Sequence, residues 1–180
     1  MRRFFLPLLL LSALTACESN TYPESTCADF TRPTAHIREL SPAFLCFDGY
    51  AARKTGQESL NPEWVDEALS QLHRQCETRP QARVMEIWIE LKKTLIVPGQ
   101  SYTMTTLACH ELVHGSAGRP WASEKGIALW LVGYLHAGRG AAPWFVEDME
   151  AVIDRNGPLF EACKRRPQDM VLDVMRELAH

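Results

Sequence analysis

The stretch that decides the fold is residues 76–91, CETRPQARVMEIWIEL, because a second version of it, CKRRPQDMVLDVMREL, occupies residues 163–178. Both begin with a cysteine, share a Pro-Gln pair and lie 87 residues apart. Each carries apolar residues at positions i, i+3, i+4 and i+7, namely Val84, Ile87, Trp88 and Leu91, then Val171, Val174, Met175 and Leu178. This spacing predicts two amphipathic helices, which we expect to begin at Pro80 and Pro167. The constant offset indicates an internal duplication.

Other stretches match in the same order. Cys27-Ala28-Asp29-Phe30 corresponds to Cys109-His110-Glu111-Leu112 at an offset of 82, and Gly49-Tyr50 corresponds to Gly133-Tyr134 at an offset of 84. The offset therefore grows only slightly, as expected for short insertions in loops. We predict an all-α protein of two tandem repeats, 27–96 and 105–180, with about four helices each and a linker at 97–104.

The helix between the matched segments of the first repeat is predicted from its apolar stripe, which is Val65, Ala68, Leu69, Leu72 and Cys76. Proline marks the expected helix starts at Ser41-Pro42, Asn61-Pro62 and Ala142-Pro143, and Asn156-Gly157-Pro158 interrupts the last of these. The five tryptophans are expected to be core or partly exposed packing residues rather than to stack on ligands.

The first residues have the pattern of an export signal. Arg2 and Arg3 precede an apolar run that is too short to span a bilayer, and the run ends in Leu14-Thr15-Ala16-Cys17. This ending resembles the bacterial lipoprotein signal, which implies cleavage after residue 16 and lipidation of Cys17. An ordinary signal peptide with an incidental cysteine is the alternative. Residues 17–26 are then a tether. An aspartate after the lipidated cysteine commonly retains such lipoproteins in the inner membrane, so Glu18 at this position favours the outer membrane.

Six cysteines in an exported chain indicate disulfide bonds. The duplication allocates four of them, Cys27 with Cys76 and Cys109 with Cys163, so that each repeat has one bond. Cys46 is left over and lies on an apolar helix face. A buried free thiol is the favoured interpretation of Cys46, and an intermolecular bond is the alternative.

The charge balance argues against a nucleic-acid partner. The formal net charge is −3, and loss of the signal removes two further arginines. The sequence contains no basic block, and its charged and apolar fractions are typical of a globular protein.

The arrangement of two half-cystines about fifty residues apart around apolar helices resembles the HdeA/HdeB family of acid-stress chaperones. The matching segments are 26–30, 44–50, 72–80 and 84–91 in the first repeat, and 108–112, 128–135 and 158–167 in the second. The resemblance implies a non-enzymatic periplasmic protein that binds client proteins, with no cofactor. Members of that family are single soluble domains, whereas this chain is duplicated and predicted to be lipid-anchored.

Two other functions are compatible with the sequence. The immunity proteins that inhibit secreted amidase toxins are also helical, periplasmic and disulfide-bonded, so an inhibitor is one alternative. The string His110-Glu111-Leu112-Val113-His114 is an H-E-x-x-H motif, in which two histidines one helical turn apart bind zinc and the glutamate activates water. Its third ligand would be Glu124 or His136, but Ala28 and Asp29 replace the first two motif residues in the other repeat. Incidental histidines are therefore the favoured interpretation.

Overall fold

The structure is a computed structural model, which describes residues 25–32, 42–61, 65–94, 102–114, 124–139 and 154–178. It confirms an all-α fold, with two disulfide bonds between cysteines of the described residues. We call residues 25–94 the first half and residues 102–178 the second half. No helix among the described residues is long and apolar enough to cross a bilayer.

Four helices form the described part of the first half. A Thr26 cap starts the first of them, because the Thr26 hydroxyl accepts from the Asp29 amide while the Asp29 carboxylate receives the Thr26 amide. The predicted stripe of the third helix is buried along its whole length. The helices are α1 (Cys27–Phe30), α2 (Pro42–Thr55), α3 (Val65–Thr78) and α4 (Val84–Thr94).

The second half repeats this order, with α5 (Cys109–His114), α6 (Glu124–Arg139), α7 (Pro158–Arg165) and α8 (Val171–Leu178). A 3₁₀ turn, Met104–Thr106, precedes α5. Pro158 occupies the first turn of α7 after an N-cap at Gly157, so the proline that was expected to interrupt a helix begins one.

Two short strands were not predicted, one within the first repeat and one in the expected linker at 97–104. β1 (Ser59–Leu60) pairs antiparallel with β2 (Tyr102–Thr103), in the register Ser59 opposite Thr103. The ladder joins the end of α2 to the start of the second half. Two residues per strand give too short a pattern to be recognised from alternation of apolar and polar side chains.

The predicted starts of two helices are wrong by four residues. α4 begins at Val84 and α8 at Val171, not at Pro80 and Pro167. The residues before each helix instead pair with the segment that enters the first helix of the same half. Ala28 donates its amide to the Pro80 carbonyl at 2.9 Å. Because the Pro80 carbonyl accepts this hydrogen bond from another segment, it does not accept the hydrogen bond that a helix starting at Pro80 would require.

The core is continuous between the halves. Buried side chains of α2, α3 and α4 form one apolar cluster with those of α5, α6, α7 and α8. Large side chains that are fully buried in it include Phe44, Leu72, Ile87, Trp130, Leu131 and Leu159. Trp88 and Trp130 are core residues as expected. Leu178, predicted to complete the stripe of α8, is instead 47% exposed, because it lies in the last turn of that helix.

Several predictions concern residues outside the described ranges. They are the signal sequence, Cys17 with most of the tether, the helix start at Ser41, Pro62, the segment from residue 140 to 153 with its expected helix, and Trp64, Trp121 and Trp144.

Candidate functional site

The contact between α2 and α6 is built on two glycines. A methyl group on Gly49 would overlap the backbone carbonyl of Trp130, and a methyl group on Gly133 would overlap the carbonyl of Cys46. Trp130 corresponds to Cys46, and Gly133 to Gly49, at the same offset of 84. Exchanging the two halves therefore exchanges the two contacts. This is the relation found in an isologous dimer interface, here within one chain.

The α6 side of this contact is almost entirely apolar and enclosed. Residues 127–135 are all buried, so α6 has no solvent-facing side along this segment. A helix that is apolar all round is typical of the centre of a protein. The two helices run in the same direction, because Cys46 lies beside Gly133 and Arg53 beside Gly138 further along both helices.

A buried carboxylate lies in this interface. Asp48 on α2 is 1% exposed and accepts hydrogen bonds from the indoles of Trp88, at 3.2 Å, and Trp130, at 2.8 Å. Lys92 on α4, itself 6% exposed, places its Nζ 2.6 Å from the same carboxylate. One side chain thus joins helices of both halves. A buried charge is tolerated when it is paired and hydrogen-bonded in this way.

A second polar cluster closes the end of the interface. The Tyr134 hydroxyl on α6 donates to Glu58, and Arg53 donates to the same hydroxyl at 3.1 Å. Thr105 donates to the other carboxylate oxygen of Glu58 at 2.6 Å, and the Met104 amide donates to the Glu58 carbonyl. Glu58 therefore connects the end of α2 to two segments of the second half.

The Glu58 carboxyl group and the Tyr134 phenol in this cluster both have pKa values shifted from their ordinary values. Burial opposes ionisation of Glu58, but hydrogen bonds from Thr105 and Tyr134 and the charge of Arg53 outweigh it and lower the pKa of Glu58. Burial, followed by the hydrogen bond to Glu58, raises the pKa of Tyr134. The cluster therefore keeps a carboxylate and a neutral phenol together at neutral pH.

Each half carries the same disulfide. Cys27 at the start of α1 is joined to Cys76 in α3, and Cys109 at the start of α5 is joined to Cys163 in α7, and all four residues are fully buried. Both bonds link segments of one half. They stabilise each half without tying it to the other.

Matching backbone contacts surround the two disulfides. Cys27 donates its amide to the Ala82 carbonyl at 2.8 Å, as Cys109 does to Asp169 at 2.8 Å. A surface ion pair also recurs, Arg79 with Glu90 at 2.9 Å and Arg166 with Glu177 at 2.6 Å. Arg166 at the end of α7 thus has a defined acceptor on α8.

The expected state of Cys46 is wrong. No free cysteine occurs among the described residues, and Cys46 is itself disulfide-bonded, with a partner outside those residues. Cys46 is only half-buried. The apolar helix face on which the prediction depended therefore does not enclose its sulfur.

Two residues of the H-E-x-x-H motif, His110 and Glu111, contact backbone groups. Glu111 accepts a hydrogen bond from the Ala108 amide at 3.0 Å, which is the capping contact that Asp29 makes in the first half. The His110 ring lies 3.1 Å from the Pro167 carbonyl. His110 and His114 are both exposed on a helix of six residues.

His136, a candidate third ligand, lies elsewhere. Its ring is half-buried against Tyr50 at 6.0 Å, and burial lowers the pKa of His136. The side chain of Glu124 is outside the described residues. In the part of the chain that the structure describes, no three His, Cys, Asp or Glu side chains are grouped as metal ligands.

Sequence reasoning missed both polar clusters. Asp48 could have been noticed as an acidic residue inside an apolar helix, between Phe47 and Gly49. Glu58 and Thr105 carry no sequence signal, because their partners are contributed by the other half. No family model, no curated protein and no solved structure matches the chain.

Proposed function

We propose that the protein is a non-enzymatic, client-binding protein of the HdeA-like type, acting in the periplasm under acid stress. The observation that supports this most directly is the apolar surface of α6, residues 127–135, which is buried where the two halves meet. Separation of the halves would expose this surface to unfolding clients. An exposed apolar patch of this kind is typical of a protein-binding site.

The arrangement of covalent bonds favours separation over complete unfolding. The Cys27–Cys76 and Cys109–Cys163 bonds each restrain one half, and neither crosses the interface. Acid protonates carboxylates and histidines, so the chain becomes strongly positive and the halves repel each other. The bonds then limit the expansion of each half.

Carboxylates also help to hold the interface together at neutral pH. Glu58 accepts hydrogen bonds from Thr105 and Tyr134 of the second half. Its lowered pKa means that this contribution persists in mild acid and disappears in stronger acid. The proposed trigger is therefore strong rather than mild acidity.

The test is the light scattering of an acid-sensitive client protein, with and without this protein, at a series of pH values. We expect scattering to fall at low pH and to be unchanged at neutral pH, relative to an inert protein at the same concentration. Unchanged scattering at every pH would reject the chaperone role. Tight capture of a single partner at neutral pH would instead favour an inhibitor or immunity protein.

Two matched variants connect the activity to the interface. Glu58→Gln removes a carboxylate that joins the halves, whereas Glu67→Gln removes one that is paired with Arg74 on the surface of α3. As the pH is lowered, we expect Glu58→Gln to begin suppressing the light scattering of the client at a higher pH than the wild-type protein does. Glu67→Gln is expected to behave as the wild type.

We also propose that the protein is anchored by a lipid on Cys17, in the outer membrane. The export-type pattern of the first residues and the disulfide bonds support an oxidising compartment outside the cytoplasm. The mass of the mature N-terminus tests the anchor directly. Cys17→Ser is expected to release the protein from the membrane fraction, and an unchanged membrane fraction would contradict the proposal.

A further inference from the structure

We infer that the hydrogen bond between Asp48 and Trp130 specifies which halves pair, so that α2 associates with α6 of its own chain and not with the same helix of a second copy. The bond joins α2 of the first half to α6 of the second. This inference does not depend on the proposed chaperone function. It concerns a recognition problem that any chain with two similar halves must solve.

The glycine contacts cannot solve that problem. Gly49 lies against the Trp130 carbonyl and Gly133 against the Cys46 carbonyl. In a pair of two α2 helices, Gly49 of each copy would meet the Cys46 carbonyl of the other. In a pair of two α6 helices, Gly133 would meet the Trp130 carbonyl. Backbone contact is therefore available in all three pairings.

The tyrosine contact is also compatible with the wrong pairing of two α2 helices. Arg53 on α2 donates to the Tyr134 hydroxyl and lies 5.2 Å from the centre of that ring. Tyr50 corresponds to Tyr134. A second copy of α2 would thus present a tyrosine at the same place.

Asp48 and Trp130 differ between the halves and therefore discriminate. Cys46 corresponds to Trp130, so in a pair of α2 helices the buried Asp48 would face a cysteine side chain instead of an indole N–H. Val132 corresponds to Asp48, so in a pair of α6 helices the indole N–H would have no carboxylate. In the α2 pair Asp48 would keep Trp88 and Lys92 but lose its third donor, and in the α6 pair the buried indole N–H would lose its acceptor. Such losses are costly, and specificity is often achieved by penalties of this kind against the wrong complex.

The test uses the full-length protein with its disulfides intact. The variant Asp48→Val, Lys92→Met puts valine in both halves and removes the lysine that would otherwise be buried without a partner. The control is Trp88→Phe, which removes another donor to Asp48 but one that comes from the same half. Each protein is refolded from denaturant at high concentration as a mixture of heavy- and normal-isotope copies.

The readout is the oligomeric state by sedimentation, together with lysine cross-links between copies. Lys54 is exposed near the end of α2, so a pair of parallel α2 helices would bring Lys54 of one copy close to Lys54 of another. We expect at least tenfold more dimer, with this mixed-isotope cross-link, for the double variant than for the wild type or Trp88→Phe.

Equal amounts of the cross-link in all three proteins, or its absence from the double variant, would overturn the inference. Trp130→Phe is the second variant, because it keeps an aromatic ring in the core and removes the N–H donor; Trp88→Phe removes the same ring atoms and is therefore its matched control. It is expected to form the same cross-linked dimer. A Trp130→Phe protein that refolds entirely to monomer would also overturn the inference.

Discussion

Gly49 and Gly133 occupy equivalent positions in one helix contact, and each lies against the carbonyl of the residue three positions before the other glycine. Neither position has room for a side chain. The close approach of α2 and α6, and with it the continuous core, depends on both glycines.

We expect Gly49→Ala and Gly133→Ala each to lower the free energy of unfolding by about 1–3 kcal/mol, since a methyl group would force the two backbones apart. The control is Gly138→Ala, where the nearest atom is 3.3 Å away on the flexible side chain of Arg53. Alanine favours a helix, so this control is expected to be neutral or slightly stabilising. Urea unfolding measures all three, and equal effects at the three positions would contradict the close contact.

Removal of Asp48 is predicted to be the most damaging change in its cluster. Asp48→Ala leaves the buried Lys92 ammonium and two indole N–H groups without an acceptor, so we expect a loss of about 3–5 kcal/mol. Lys92→Met should cost less, because the carboxylate keeps both indole donors. Unfolding curves that rank the two variants in the opposite order would show that the cluster does not hold Asp48 as described.

The pH dependence of stability is predicted to involve Glu58. Its pKa is lower in the folded protein than in the unfolded chain, so its stabilisation is complete above the unfolded value and is lost as the pH falls through the folded value. We therefore expect the free energy of unfolding to decrease in acid, and to decrease less steeply in Glu58→Gln. Urea unfolding at a series of pH values measures the slope, with Glu86→Gln, which removes an exposed carboxylate of α4, as the surface control.

Each disulfide is predicted to contribute about 4 kcal/mol through the unfolded chain, in the chain-entropy model. Because Cys27, Cys76, Cys109 and Cys163 are fully buried, we expect mild reductant to leave both bonds intact in the folded protein and to open them after denaturation. Thiol labelling followed by peptide mass spectrometry checks this. Reduction at equal rates with and without denaturant would contradict the burial.

The same peptide map identifies the partner of Cys46. A lipid on Cys17 is attached through sulfur, so a lipidated Cys17 cannot also form a disulfide. Four of the six cysteines form the described bonds, so a disulfide of Cys46 within the chain and a lipid on Cys17 exclude each other. Under the proposed anchor we expect no peptide that links Cys17 to another cysteine. A peptide in which Cys17 is bonded to Cys46 would reject the lipid anchor.

Glu111 is predicted to act as a helix cap and not as a zinc-site base. Glu111→Ala removes the acceptor of the Ala108 amide and should cost about 1 kcal/mol, whereas Glu111→Gln keeps an acceptor oxygen and should cost less. His114→Ala should leave stability unchanged, because His114 is exposed. Stoichiometric zinc in the purified protein, lost in His114→Ala, would contradict this interpretation.

The sequence alone was sufficient to predict the features that depend on residues close to one another in the chain. Spacing of apolar residues predicted the helices of residues 65–78 and 84–94, and the repeated cysteines predicted both described disulfides. It failed where a local signal was overridden by a partner distant in the sequence. The helix expected at Pro80 begins at Val84, because the Pro80 carbonyl accepts the amide of Ala28.

Helical periodicity, capping and cysteine spacing are properties of neighbouring residues, and for that reason this sequence determined an all-α, disulfide-bonded chain with two similar halves. How the halves meet was decided only by the tertiary structure. The bonds from Trp130 to Asp48 and from Tyr134 to Glu58 span 82 and 76 residues. The spacing of apolar residues within a single helix cannot predict that a donor from the other half reaches a buried carboxylate. That contact exists only after α2 and α6 have packed together.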